Sequence, residues 1–490
     1  VSNFSFNGIR KNYCDYMDYK SGWGQTRELD ITEVKGRPGG VLNHISEKHR
    51  EIEASILVDA TYNTQTLEDL ADDFIGWLTT DEPKELIFDR EPEKVYFAIL
   101  SSQIDVERFV SFGKVTVKFI CIDPYKYSRK VSTNTAIADQ VSVANVGTAD
   151  TPIIVEATAL KPSSYFMIAK GEEDYFMVGD DDVTKETVNY MPPILHTELQ
   201  SQSGWNRMAT GAIPDNYLGG TVGGTFEIGN LGESFRVNKF PEATTGWVGA
   251  ATRRTLPRSA QDFQITYKCI VEKGQMGAGR TAQHIYDTDN RLIAAIGYEN
   301  KYHNKKNGHV VVTLFNQNGD QIKIYDYPDD PKYYKLQRMV VYMRIKRVGN
   351  TYSIKSWKYD HIKDGARLKP IDVNEKTWID KGNFYQRPIS GISVSSFKPA
   401  NYNWMEMNGL GTFNTELLPK PKGAKDVIIQ KGDVVKIDMQ THNVIVGEEP
   451  MLSEKTFGSD FFNIDAGYGE LYIYPTGAFD TKIKWRDRFY

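Results

Sequence analysis

Residues 425–450, KDVIIQKGDVVKIDMQTHNVIVGEEP, constrain the fold of this chain more than any other stretch. β-Branched residues fill positions 427–429, 434–439 and 444–446, with turn formers between them at Lys431-Gly432-Asp433 and Thr441-His442-Asn443. The spacing predicts a three-stranded meander. So few strands leave an apolar face in water and need partners to cover it. Residues 469–474 (GELYIY) and 481–486 (TKIKWR) follow closely and alternate in character. The remaining strands are expected far upstream, at 151–156 (TPIIVE), 164–170 (SYFMIAK) and 174–179 (DYFMVG). One sandwich built from such distant pieces makes the residues between them a guest inside a host.

At 490 residues the chain is too long for one core, and a length prior suggests about three domains. A net charge of -5 argues against a dedicated nucleic-acid binder, which would carry a large basic face. No run of eighteen apolar residues exists to span a membrane, and the first residues hold no apolar signal segment. Cys14, Cys121 and Cys269 are widely separated, without a CxxC pair, and are expected to be reduced and packed. Aromatics make up 12 % of the chain, with 28 Tyr and 8 Trp, enough for β cores and a recognition surface together.

Residues 1–130 read as an antiparallel β domain with one helix. Strands are expected at 27–34, 51–58, 95–100 and 115–122, and Asn7-Gly8 is a strong turn pair. Residues 66–77 (TLEDLADDFIGW) are the one convincing helix: Thr66 caps, Asp69 stands at the capping-box position, and Leu67, Leu70, Phe74 and Trp77 recur at helical spacing. Residues 128–150, rich in small and polar side chains, read as a linker region with one strand at 140–146. Residues 186–420 carry many short strands separated by turn signals such as Gln317-Asn318-Gly319-Asp320, the pattern of a β-sandwich or jelly roll. The expected division is 1–130, a split sandwich from 131–185 and 421–490, and an insert at 186–420.

In order along the chain, FSFNGIRKNY, DITEVKGRPGGVL, REIEASILV, TLEDLADDFIGWL, FGKVTVKFICIDPYKY, TPIIVEATA and KGDVVKIDMQTHNVIVG resemble the distal tail proteins of long-tailed phages infecting Gram-positive bacteria. The specificity lies in their order, since none is a catalytic signature. The resemblance implies a mainly β protein with a ring-forming N-terminal domain and a galectin-like C-terminal sandwich. As in elongated members, that sandwich would be interrupted by a carbohydrate-binding module. It further implies a homo-hexamer at the distal tail tip of the virion, made in the host cytoplasm, joining the tail tube protein to a tail-associated hub or fibre protein. Within the insert, TGWVGAATRRTLP, QDFQITYKCIVE, HIYDTDNRLIAAIGYEN and VVVTLFNQNGD resemble concanavalin-like jelly rolls. That likeness points to host cell-wall polysaccharide as its ligand, with teichoic acid the alternative if Arg253 and Arg254 are used. The net charge and the lack of a long apolar run argue for no membrane or sequence-specific nucleic acid as partner.

Sugar recognition uses aromatic faces against the apolar side of the ring and planar polar groups for its hydroxyls. In the insert, Trp205, Tyr217, Tyr298, Tyr302, Trp357 and Trp404 are the candidates, with loop-placed Tyr298, Tyr302 and Trp404 foremost. The competing reading of each is core packing. Arg253 and Arg254 offer an anionic polymer paired guanidiniums, or else line a solvated face. No cofactor is expected. Asp180-Asp181-Asp182 and Asp287-Thr288-Asp289 present hard oxygens of the kind calcium accepts, though without EF-hand spacing, which leaves calcium as the alternative for the insert. No catalytic residue is expected, because GxSxG, Walker and HExxH patterns are absent and Gly274-Gln275-Met276-Gly277-Ala278-Gly279 lacks the spacing of a dinucleotide loop. The alternative of a different class is a glycoside hydrolase or lyase acting on cell-surface polysaccharide through the jelly roll, which needs only two carboxylates across a cleft.

Overall fold

The structure, a computed structural model, describes all residues except 1–2, 21–25, 34, 37, 62, 102–104, 109–111 and 230–231. The described residues are mainly β, with one α-helix. The first sheet orders its strands Phe4–Phe6, Lys84–Phe88, Lys94–Leu100, Phe112–Cys121, Arg50–Asp59 and Cys14–Lys20. Ile52, Ala54, Ile56 and Val58 alternate onto its buried face, as the two-residue period requires. Helix Leu67–Leu78 packs there through Leu70, Phe74 and Leu78. A capping box sets its start: Asp69 N–H donates to Thr66 Oγ1 at 3.2 Å and Thr66 N–H to Asp69 Oδ2 at 3.2 Å. Trp77 stacks on Phe4, centroids 5.2 Å apart, and donates its indole N–H to the Phe6 carbonyl at 3.1 Å. Strands Arg27–Glu33 and Gly40–Glu47 pair with each other as an exposed hairpin. The expected strand end at Val34 lies outside the described residues.

Strand Thr151–Ala159 runs between Val434–Asp438 and Phe479–Trp485, with Val155 opposite Ile437 on one side and Ile483 on the other. This sheet continues to Ser132–Thr135 at one edge and through Asn443–Val446 to Glu449–Pro450 at the other. A second sheet of Gln140–Asn145, Gly467–Tyr474, Tyr165–Ala169 and Tyr175–Gly179 packs on it, and Val155, Ile437, Phe166, Phe176 and Leu471 share one buried cluster.

Two sequence expectations need correction. Residues 128–150 are more than a linker: the strand expected at 140–146 is present as Gln140–Asn145, Ser132–Thr135 is a second edge strand, and Val141 and Val143 fill the sandwich core. Residues 427–429 are not a strand of the meander. Ile429 forms a single bridge with Ser163, while Lys425–Asp426 pairs in parallel with Thr187–Val188. The apolar run there reflects burial of Val427 and Ile429 rather than membership of a sheet.

The intervening residues form two further sheets. One orders Thr225–Ile228, Phe235–Lys239, Met407–Glu416, Phe263–Glu272, Arg338–Val348, Thr351–Asp360 and Ile371–Ile379. The other orders Gly211–Ile213, Gly220–Val222, Trp247–Ala260, Ile389–Pro399, Gly279–Tyr286, Leu292–Asn300, His309–Phe315 and Gln321–Pro328. Ile265, Tyr267, Ile296, Val312, Met343 and Val394 belong to the core between them. The chain enters and leaves this body side by side, Leu418 N–H donating to Tyr190 O at 2.8 Å and Lys425 N–H to Glu186 O at 3.0 Å. No helix among the described residues is long and apolar enough to cross a membrane.

Candidate functional site

Four loops converge at one end of the second of these sheets: residues 240–246, 274–278, 301–308 and 400–405. Buried Asn300 ties two of them together, its amide donating to Gly277 O at 2.7 Å, Lys305 O at 2.8 Å and Tyr302 O at 3.0 Å. Ala278 N–H donates to Asn403 O at 2.9 Å, Met405 N–H to Ala278 O at 3.1 Å, and Ala400 N–H to Gly246 O at 2.9 Å. The glycines of GQMGAG serve this close approach. A Cβ at Gly277 would stand 2.5 Å from Met405 N, and one at Gly279 would stand 2.3 Å from Met405 O.

The loops bring aromatic rings together. Tyr402 stacks on His303 with centroids 4.1 Å apart and planes at 8°, and Trp404 meets Phe240 edge-on at 5.0 Å. Tyr302 and Tyr402 are half exposed, at 50 % and 51 %. Lys305 lies 5.5 Å from the Tyr302 ring and Lys398 5.2 Å from that of Phe240. Exposed flat faces in loops that also carry exposed Asn403 and Lys305 can hold the apolar side of a sugar while bonding its hydroxyls. Tyr302 and Trp404 stand here together. His303 and Phe240 carried no sequence signal, because their role comes from loops far apart in the chain.

The other sequence candidates lie elsewhere. Tyr298, expected in a loop, is in strand Leu292–Asn300 and fully buried, its hydroxyl donating to Asp329 Oδ2 at 2.6 Å. Strand alternation turns it into the core, where no ligand reaches it. Trp357 is also buried, stacked on Tyr342 at 5.1 Å, with its indole N–H donating to the Glu448 carbonyl at 2.9 Å. Trp205 is 8 % exposed and packs edge-on against Phe235 at 5.5 Å. Tyr217 is partly buried, with Lys323 4.8 Å from its ring. Arg253 and Arg254 do not form a double clamp, because neighbours in a strand point to opposite faces. Arg253 lies over Tyr286 at 4.0 Å and donates to Asn290, whereas Arg254 faces Trp205 at 6.0 Å.

Carboxylates of both acidic runs are engaged by cations. Asp180 pairs with Lys185 at 2.7 Å, Asp289 with Arg291 at 2.6 Å, and Asp287 with Arg387 and Arg291. Among the described residues no group of three or more His, Cys, Asp or Glu side chains is placed to hold a metal ion. A groove of about 740 Å³ on the outer face of the insert's first sheet has Ile270 and Leu410 in its wall beside Arg236, Glu272, Arg338 and Glu406. Arg236 grips Glu406 bidentately at 2.7 and 3.2 Å, and Arg338 holds Glu272 at 2.7 Å. Burial alone would raise the Glu406 pKa, but Arg236 and Asn408 hold it below the ordinary carboxylate range. An ionised, ion-paired carboxylate suits recognition better than proton donation.

Residues 12–121 match the family described as phage tail protein RIFT-related domain, and residues 424–489 match the family described as siphovirus-type tail component, C-terminal domain. Both framing segments match families of siphophage tail proteins. The first tail segment ends with strand Phe112–Cys121, and the second begins where the chain leaves the intervening body. The distal tail protein of Bacillus phage SPP1 is 28% identical over 124 residues, which is 25% of this chain and 49% of that protein. The chain thus spans about half the length of the curated relative it matches. The solved SPP1 Dit is similar at a TM-score of 0.33 and 20% identity, over 37% of this chain and 75% of its own. The CBM2 module of the evolved Dit of Lactobacillus casei BL23 phage J-1 is similar at a TM-score of 0.37 and 13% identity, over 47% of this chain and 98% of its own. Bacillus licheniformis β-glucanase is similar at a TM-score of 0.30 and 11% identity, over 46% of this chain and 98% of its own.

Proposed function

We propose that the chain is a structural hub at the distal tip of a siphophage tail, carrying a module that holds host cell-wall saccharide. The observation that carries this reading is the order of the matches: siphovirus tail segments at 12–121 and 424–489 frame a large two-sheet body. In this reading residues 1–130 form the ring-making domain, 131–185 with 421–490 the sandwich, and 186–420 an independently folding guest. Six copies close a ring between the tail tube protein and a hub or fibre protein in the virion. The hairpin Arg27–Glu33 and Gly40–Glu47, with Leu29, Ile31, Val41 and Leu42 about half exposed, supports assembly, since such a surface suits burial between subunits.

The saccharide site is the loop cluster of Tyr302, Tyr402 and Trp404, with asparagine and lysine neighbours bonding hydroxyls or the phosphates of teichoic acid. Binding needs no catalysis, and calcium is no part of this site. Expressed alone, residues 186–420 should fold and label susceptible Gram-positive cells. Joint alanine substitution of Tyr302, Tyr402 and Trp404 should abolish labelling while the circular dichroism spectrum stays unchanged. Labelling that survives the triple variant removes this cluster from the reading, and labelling that needs added calcium brings the metal back. Reducing-sugar release from purified walls would replace the binding role with the hydrolase one.

A further inference from the structure

The turn between strands Asn443–Val446 and Glu449–Pro450 of the sandwich reaches the outer sheet of the insert. Val446 pairs with Glu449, so Gly447 and Glu448 are its central residues, with φ of 55° and 70°. Two left-handed residues make a type I′ turn, where glycine or asparagine is the relaxed choice at the second position. A glutamate there is strained, and its side chain shows what the strain maintains.

Oε2 of Glu448 accepts from Lys268 Nζ at 2.8 Å and from the Tyr342 hydroxyl at 2.7 Å, and Oε1 accepts from the Arg367 guanidinium. Its carbonyl accepts from the Trp357 indole at 2.9 Å and from the Tyr359 hydroxyl at 3.1 Å. All five donors belong to the insert. The neighbouring Glu449 carboxylate accepts from Lys355 at 3.0 Å and from Arg344. Lys268 and Lys355 are buried at this contact, at 4 % and 6 % exposure, and the insert's own Glu198 and Glu375 pair with them at 3.0 and 3.2 Å. A cleft of about 640 Å³ runs beside the contact, lined from both bodies.

A Tyr–Trp–Tyr floor ringed by Lys268, Arg344, Lys355 and Arg367 is built for an acid, and the acid it holds comes from the same chain. We propose that the outer sheet of the insert carries a carboxylate receptor whose ligand is Glu448, and that this capture fixes the angle at which the insert stands on the sandwich. The proposal rests on reading 186–420 as a separate module. In a ring it would hold every insert in one orientation, so that all the saccharide sites are presented together.

The test uses the full-length chain. E448G removes the carboxylate while relaxing the backbone at φ 70°, and K268M and Y342F weaken the receptor from the other side. Limited proteolysis at residues 180–190 and 418–424 should run about tenfold faster in E448G and K268M, which lose an ion pair, and less so in Y342F, which loses one hydrogen bond to the carboxylate and keeps the ion pairs. Small-angle scattering should show a larger maximum dimension in the same order. Wild-type cleavage and scattering in folded E448G and K268M overturn the receptor. If E448G does not fold, K268M and Y342F decide alone. Failure here with a fragment 186–420 that folds by itself sinks the receptor and leaves the module standing.

Discussion

Asp329 sits at the centre of the insert's most heavily charged interior. It is held by Lys358 at 2.9 Å, by Lys273 and by the Tyr298 hydroxyl at 2.6 Å, and Lys358 also reaches Asp372. Burial alone would raise its pKa, but Lys358 and Lys273 hold it below the ordinary carboxylate range. A carboxyl depressed on folding stabilises above its unfolded value, and that stability is lost as pH falls through the folded one. The insert should therefore weaken below about pH 4, where unfolded aspartate protonates. Asp329→Asn leaves two buried ammoniums with Asp372 alone, so denaturant unfolding should show a loss of about 3–5 kcal/mol. Tyr298→Phe removes one hydrogen bond to a charged group, costing about 1.5–3 kcal/mol, and should leave cell labelling unchanged if Tyr298 serves the core and not the ligand.

Among the elements, loops and turns decide more than strands. The loop cluster depends on Gly277 letting the Trp404–Met405 backbone pass closely, so Gly277→Ala forces a shift. A cost of about 1–3 kcal/mol is expected. Labelling should fall with it, as rings set by neighbouring backbones lose their shared geometry; the check is unfolding and labelling of the same preparation. Helix Leu67–Leu78 shows how much of an element local sequence can determine: its capping box and its buried Leu70 and Phe74 stand where spacing puts them, while Leu67 and Trp77 are only partly buried and Leu78, one residue past the expected end, joins the core. Position 427–429 shows the opposite. An apolar β-branched run is compatible with a strand or with a buried crossing, and only the neighbouring Ser163 and Thr187–Val188 select between them.

At the scale of the whole molecule, the proposed ring of six would let modest individual sites gain from repetition, since it would convert each later contact into an intramolecular one and could raise avidity about 10²–10⁴-fold. Light scattering should give a mass about six times the 55.7 kDa of the chain. Ile31→Lys with Leu42→Lys, placing charge on the exposed hairpin, should return it to the monomer without unfolding it. A monomeric wild type would count against self-assembly without other tail proteins. The sequence by itself determined the strand periods, the helix and its cap, and the distant strands that complete one sandwich, because these follow from local residue spacing and from the need to cover an apolar face. Tertiary structure alone decided which aromatics face water. Alternation assigns residues to two faces but does not say what covers each, and every residue of strand Gly279–Tyr286 is buried because both of its faces are packed. Tyr298 and Trp357 were thereby lost to the core, while His303 and Tyr402 were stacked by loops separated in sequence by about a hundred residues.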